Sequence, residues 1–372
     1  MMYYVGLMSG TSLDAIDAAL VHIDDDRCTL KKGLEFPFPN ALRAELLDLC
    51  QPGSDEIERM GRADRHLGLA LATAVNQLLH VAGLAASDIA AIGSHGQTIR
   101  HRPTDGARAA TDAFSLQIGD PNTIAEHTGI TTVADFRRRD IAAGGQGAPL
   151  VPAFHQTVFG SANENRVIIN IGGMANISLL PANRPAHGYD TGPGNVLMDA
   201  WIQHRRGENF DRDGRWAASG RCHQALLAKL LDTPFFSVSG PKSTGRECFN
   251  LDFVREALTH FSDISDEDVQ ATLLEFTAQS IAQAIAKEDL KESQWHLCGG
   301  GAANAALRQR LTELNTNGSV DDTDALGIHP DWVEAAAFAW LAMRCLHDLP
   351  GNLPSATGAS GPRILGGIYP AR

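Results

Sequence analysis

The chain has no C-x-x-C pair: its six cysteines, Cys28, Cys50, Cys222, Cys248, Cys298 and Cys345, lie far apart. That spacing suits a reducing cytosol better than a disulfide framework. No apolar run approaches 18 residues and the N-terminus lacks a basic signal region, so neither a membrane span nor a leader is expected. Positive charge is in deficit. The formal net charge of −13 argues against a nucleic-acid binder or a protein that adheres to anionic membrane, while leaving room for a local basic pocket. Tandem repeats, low-complexity tracts and nucleic-acid motifs are missing, and no G-x-x-x-x-G-K-[ST] phosphate loop occurs. What is present is 372 residues, 44% of them hydrophobic. That is enough for one large domain or two of ordinary size, in a chain that reads as soluble and cytoplasmic.

The densest chemistry lies in Gly188-Tyr-Asp-Thr-Gly-Pro-Gly-Asn195, ahead of a helix running through Val196, Leu197 and Trp201. Gly192 and Gly194 permit a tight turn and close approach to a ligand, and Pro193 suits a first helical turn. The N–H groups of that helix start are expected to point outward and favour an anion. Asp190 on this turn reads either as a helix cap or as a base beside a phosphate.

Two strand–turn–strand units occur about 160 residues apart. Tyr3–Met8 breaks at Ser9-Gly-Thr-Ser12 and resumes at Ala15–Ile23; Arg166–Ile171 breaks at Gly172-Gly-Met-Ala-Asn176 and resumes at Ile177–Leu180. Each is either a plain hairpin or a turn whose hydroxyls and N–H groups hold phosphate oxygens. Asp14 sits where a carboxylate could reach a metal or its waters. The buried strand Ile89–Gly93 delivers Ser94-His-Gly-Gln-Thr98 at its C-terminal end, the usual ligand side of an α/β sheet. The one concentrated basic patch, Arg137 to Arg139, abuts a glycine-rich loop and favours an anion or sugar-acid contact through Arg137 or Arg138. Further on, Asp266–Ala286 has helical periodicity, and Gln294–Cys298 runs into Gly299-Gly-Gly-Ala-Ala-Asn304. Asp331–Leu346 reads as a helix carrying Glu334 near its start, where a carboxylate ordinarily complements the helix dipole. Lys242-Ser-Thr lacks the upstream glycines of a phosphate loop and is rejected as one.

Six motifs in order carry a resemblance: Met8-Ser-Gly-Thr-Ser-Leu-Asp14, Ser94-His-Gly-Gln-Thr98, Asn170-Ile-Gly-Gly-Met-Ala-Asn176, Asp190-Thr-Gly-Pro-Gly-Asn195, Pro241-Lys-Ser-Thr-Gly-Arg-Glu247 and Cys298-Gly-Gly-Gly301. Together they resemble the anhydro-N-acetylmuramic acid kinase family of the sugar kinase/Hsp70/actin superfamily, over nearly the whole chain. The resemblance implies an α/β, two-lobed, ribonuclease-H-like (actin-like ATPase) fold with a central nucleotide cleft. The expected lobes are residues 1–130, with 347–372 packing back, and residues 131–346. The implied reaction opens the 1,6-anhydro bond of the sugar with water while phosphorylating O6.

By that resemblance Gly10, Thr11, Ser12, Leu13, Asp14, Ala15, Ile16 and Asp17 form the first phosphate hairpin. Gly172, Gly173 and Asn176 belong to the second, and Gly299, Gly300, Gly301 and Asn304 to the adenosine loop. ATP and Mg2+ are the implied cofactors, with Asp14 meeting the metal through water. Asp190 is the candidate base; His95, Gln97, Thr98, Arg137, Gly192, Asn195 and Glu334 are the candidate substrate contacts. Ala15 departs from the family motif, which commonly has Gly there; its methyl is costly if the residue needs φ > 0 and harmless otherwise. The expected partner is the small-molecule sugar, without nucleic acid or membrane, and a homodimer is left open. Two other classes stay in view: a sugar sensor that uses ATP only to close its lobes, and a nucleotide-independent glycoside hydrolase, which normally wants two carboxylates.

Overall fold

A computed structural model of the chain describes residues 2–371 apart from 11, 12, 14, 25, 26, 105–107, 239–241, 243, 247, 262 and 291. The chain divides into two compact units, Met1–Val158 with Trp332–Arg372, and Phe159–Asp331. The boundaries read from the sequence, 130/131 and 346/347, fall elsewhere. Thr132–Ala134 is hydrogen-bonded into the first unit's sheet, and the helix Val333–Leu346 packs on that same sheet, so both segments group with unit 1.

In unit 1, β1 (Met2–Ser9), β2 (Ala15–Asp24) and β3 (Arg27–Pro37) form an antiparallel meander. β4 (Ile89–Ser94) and β7 (Thr132–Ala134) extend the sheet in parallel from β1. β5 (Gln97–Arg102) and β6 (Phe114–Ile118) make a separate hairpin. A C-terminal strand, Gly367–Tyr369, closes the edge beyond β7. β1 and β4 are buried on both faces, as their unbroken apolar runs require. β3 was not anticipated. It is an edge strand carrying Lys31 and Lys32, exposed or half-exposed except at Cys28, and lacks the apolar run that marks a central strand.

Unit 2 repeats the arrangement. β8 (Arg166–Ile171), β9 (Met174–Leu180) and β10 (His187–Pro193) are antiparallel neighbours, and β11 (Gln294–Cys298) and β12 (Val320–Asp322) follow in parallel from β8. In both sheets, numbering the five repeated strands by appearance within the unit gives the order 3-2-1-4-5, the ribonuclease-H-like order. The helix Asp266–Ala286 packs on β9 and β10 and spans the residues its periodicity predicts. No helix among the described residues is long and apolar enough to cross a membrane.

One contact in unit 1 sets the position of Glu334. The helix Val333–Leu346 lies so close to β1 and β4 that a Cβ on Gly6 would meet Ala335 O at 1.7 Å, and one on Gly93 would meet Phe338 O at 1.9 Å. Because backbone rather than a yielding side chain fills that space, only glycine fits. Gly93→Ala is therefore expected to lose at least the ~1–3 kcal/mol of an overpacked core. Gly61→Ala, on the helix Glu56–Ala82 where a Cβ meets nothing within 4 Å, should instead gain roughly 0.5–1 kcal/mol. Urea midpoints of the two variants moving in the same direction would contradict the packing described.

Candidate active site

In unit 1 the polar residues gather where β1, β4 and β7 end. β1 runs out at Ser9, whose hydroxyl donates to Gly96 O at 3.0 Å and to Gln97 Oε1 at 2.8 Å, tying the first hairpin to the His95 loop. Gly10 O accepts from Leu13 N–H at 3.1 Å, and the fully buried Leu13 holds a φ of 55°. A bulky residue in the left-handed region is an outlier, of the kind that collects at ligand clamps. Ala15 by contrast opens β2 in an extended ladder opposite Pro37, so its methyl is harmless. Ile16 and Asp17 continue that strand. Thr11, Ser12 and Asp14 lie outside the described residues, as do Pro241, Ser243 and Glu247 of the fifth motif.

His95 is buried against the Phe338 ring, with centroids 4.7 Å apart. Arg137 donates from Nη2 to His95 Nε2 at 2.8 Å and from Nη1 to Gly147 O at 2.7 Å. A guanidinium only donates, so His95 Nε2 must be the acceptor; Nδ1 then carries the proton, given to Gly96 O at 2.8 Å. Burial, and then the Arg137 charge, hold the His95 pKa well below its ordinary value. Burial likewise pulls Arg137 down to about 10, opposed by the carboxylates of Glu334 and Asp140. His95, Arg137 and Glu334 thus form one electrostatic group. Arg138 stays outside it, exposed and paired with Asp135 at 2.8 Å. Thr98 accepts from Gln117 through its hydroxyl at 2.9 Å.

In unit 2 the central feature is a row across the sheet. Asp190 on β10 pairs with Asn176 on β9, Asn176 with Asn170 on β8, and Asn170 with Cys298 on β11. Directly paired residues share a face, so these four side chains line one side of the sheet together. Asp190 does not sit on a turn: β10 extends through Pro193, and the helix Val196–Arg206 begins only after Asn195. Nor does it cap that helix. Thr244 N–H donates to Asp190 Oδ2 at 3.0 Å, and Asp190 N–H donates to Lys242 O at 3.0 Å. Gly192 follows with φ 137° at a bulge in the ladder.

The helix start is also used differently from the expectation. The N–H groups of Gly194 and Val196 donate to Gly173 O at 2.9 and 3.1 Å, and that of Asn195 to Gly172 O at 2.8 Å. Protein carbonyls, not an incoming anion, satisfy them. Asn195 further holds Ile171 O through Nδ2 at 3.3 Å. Gly299 has φ 75°, and a Cβ there would lie 2.4 Å from Asn170 Oδ1, a buried atom with no hydrogen-bond partner among the described residues. A Cβ on Gly301 would lie 2.3 Å from Ile171, whereas Gly173 and Gly300 face open space. Asn304 caps the helix Ala305–Leu314 by accepting from Leu307 N–H at 3.1 Å.

A family model described as anhydro-N-acetylmuramic acid kinase matches residues 2–371. The chain belongs to that family. The kinase is 53% identical over 370 residues to the anhydro-N-acetylmuramic acid kinase of Shewanella pealeana, and 54% identical over 369 residues to that of Pseudomonas paraeruginosa. Each alignment covers 99% of both chains. Among solved structures it is similar to an activator of 2-hydroxyisocaproyl-CoA dehydratase from Clostridium difficile with bound ADPNP, with 13% identity and TM-score 0.42 over 93% of this chain and 96% of that one. A ROK family glucokinase from Streptomyces griseus in complex with glucose and AMPPNP gives 14%, TM-score 0.37, and 91% and 99%. Likenesses that faint carry no weight for this kinase.

Sequence reading gave no role to Asp140, nor to Thr244, which it placed in the fifth motif without a function. Asp140, fully buried, accepts from Gly147 N–H at 2.8 Å, Asn352 Nδ2 at 2.7 Å and Thr357 Oγ1 at 2.7 Å. It pins the glycine-rich loop whose Gly147 carbonyl receives Arg137. The only signal was a lone carboxylate inside the basic run. Because burial lowers the His95 pKa, the folded protein refuses a proton that the unfolded chain accepts near pH 6.5; the associated stability is present above that pH and declines below it. Nitrogen-15 shifts of the His95 ring should therefore stay those of the neutral Nδ1–H tautomer from about pH 8 to about pH 5.5, well past the ordinary midpoint. A titration centred near 6.5 would contradict the Arg137 contact.

Proposed function

We propose that this kinase opens 1,6-anhydro-N-acetylmuramic acid with water and phosphorylates its O6 from ATP, giving N-acetylmuramic acid 6-phosphate and ADP, as a cytoplasmic step of cell-wall recycling. Family membership supports the activity; the fixed carboxylate of Asp190 supports the chemistry most directly. Water attacks the anomeric carbon as Asp190 takes its proton, the C1–O6 bond breaks with its electron pair going to O6, and O6 attacks the γ-phosphorus as ADP leaves. Activating a water in this way is general-base work, which a carboxylate with a defined orientation can do. Ring opening itself generates the phosphoryl acceptor, so no second base at O6 is required.

His95, Gln97, Thr98, Arg137 and Glu334, with Gly192 and Asn195, are proposed to hold the sugar. Arg137 suits its lactyl carboxylate, because a guanidinium matches a carboxylate in bidentate geometry. The open backbone at Gly173 and Gly300 is proposed to lie against the nucleotide, together with Gly10–Asp17, Gly172, Asn176, Gly299, Gly301 and Asn304. Magnesium is proposed to enter with ATP, since it needs only one or two carboxylates beyond phosphates and waters. Asp14, its candidate water-mediated contact, is outside the described residues; among those described, no cluster of three or more His, Cys, Asp or Glu could hold an ion. Six free cysteines accord with a reducing compartment.

Asp190→Asn should lower turnover by at least ~10²–10⁴-fold, the usual worth of a general base, while ATP and sugar still bind. Near-normal turnover would remove the role assigned. In ¹⁸O-water, label should appear on C1 of the product, analysed before anomeric exchange, and not in the phosphate. Labelled phosphate, or a phosphorylated product whose anhydro ring survives, would rule the mechanism out.

A further inference from the structure

The fifth motif of the sequence has no part in the chemistry above, yet it touches Asp190 twice. Asp190 N–H donates to Lys242 O at 3.0 Å, and Thr244 N–H donates to Asp190 Oδ2 at 3.0 Å. The first contact fixes the strand that carries the carboxylate; the second fixes the carboxylate's rotation. Both come from backbone, so neither depends on which side chains the segment bears. They depend on where the segment lies.

That location is set by the Lys242 side chain. Its ammonium donates to Phe235 O at 2.9 Å and to Val238 O at 3.1 Å, and stands 4.2 Å from the centroid of the Phe235 ring. The turn Pro234–Ser237 that supplies these partners is immobilised in turn. Phe235 packs on Phe249 at 5.8 Å, and Phe236 packs on Phe276 at 5.4 Å, both of them fully buried. A chain of contacts therefore runs from the unit 2 core through Phe235 and Lys242 to the carboxylate of Asp190. We infer that Lys242 is a positioning residue, its ammonium anchoring the Lys242 and Thr244 backbone groups that hold Asp190 at its amide and at its carboxylate.

A plain structural role for Lys242, closing the end of the Pro234–Ser237 turn, would stabilise the fold without touching kcat selectively. Anchoring Asp190 predicts a selective effect, because a base displaced by about 1 Å loses on the order of 10²-fold in rate while substrates still bind. A carboxylate has several acceptor positions, and Thr244 N–H uses one of them; losing that contact removes a directional constraint on how the group faces the water it should activate. The inference rests on Asp190 being the base.

Lys242→Met is expected to lower kcat ~10- to 100-fold, with KM for the sugar and for ATP staying within roughly twofold. Lys242→Arg keeps donors for the two carbonyls and should recover most of the loss. An unchanged kcat in Lys242→Met, a parallel collapse of kcat and both KM values, or a loss that Lys242→Arg fails to relieve would overturn the inference. If circular dichroism shows Lys242→Met unfolded, Thr244→Pro, which deletes the donor N–H itself, carries the test with the same expected split and the same overturning result. Near-normal turnover of Asp190→Asn would remove the base whatever Lys242 does. An inactive Asp190→Asn beside a normal Lys242→Met would remove only the anchor.

Discussion

The carbonyls of Gly172 and Gly173 take three successive N–H groups, those of Gly194, Asn195 and Val196. This short network joins the second hairpin to the end of β10 and to the start of the helix behind it. Each bond nets only about 0.5–1.5 kcal/mol, but an N–H left buried without a partner costs about 1–3 kcal/mol, so the three stand or fall together. Steric fit makes the network obligatory, because a Cβ on Gly194 would come within 2.3 Å of Gly172 O. With β10 held here at one end and by Lys242 and Thr244 near its middle, Asp190 has little freedom left.

Most of the scaffold was legible because its strands are buried on both faces and say so in composition. β1, β4, β8 and β11 are apolar runs bounded by small polar turns, and each was located within a residue or two. β10 was not. Its sequence, His-Gly-Tyr-Asp-Thr-Gly-Pro, carries every local sign of a turn, and it is extended because β9 pairs with it along its length. Tertiary pairing overrode local preference. The same limit hid β3 and the unit boundaries: nothing local states that Val333–Leu346 rests on glycines of β1 and β4, more than 200 residues back. Side-chain types at the site were legible as motifs, but not their partners. The adjacent arginines 137 and 138 look equivalent in sequence, and the backbone turns one toward His95 and the other toward Asp135.

The two units place different chemistry on one topology. In unit 1 the row Met8–Asp17–Glu35 crosses the first three strands at the register where unit 2 has Asn170–Asn176–Asp190. Each ends in an acid on the third strand, yet Glu35 is exposed on an edge, whereas Asp190 is partly buried and accepts a backbone N–H. Repetition of the hairpin alone therefore does not distinguish the carboxylate proposed as the base from its counterpart in unit 1. The discriminating feature is the backbone of Lys242 and Thr244, which bonds the amide and the carboxylate of Asp190.

Unit 1 solves a different electrostatic problem. A guanidinium out of water is stable only when its donors are satisfied and its charge is opposed. Two carboxylates closed onto Arg137 would neutralise it and blunt its attraction for an anion. Instead its hydrogen bonds go to neutral acceptors, His95 Nε2 and Gly147 O, while Glu334 and Asp140 act on it through their fields. Asp140 meanwhile spends its oxygens on Gly147, Asn352 and Thr357. The positive charge is thus fixed in place without being cancelled. That arrangement requires His95 to remain unprotonated, and its burial against Phe338, beside the cation it serves, is what keeps it so.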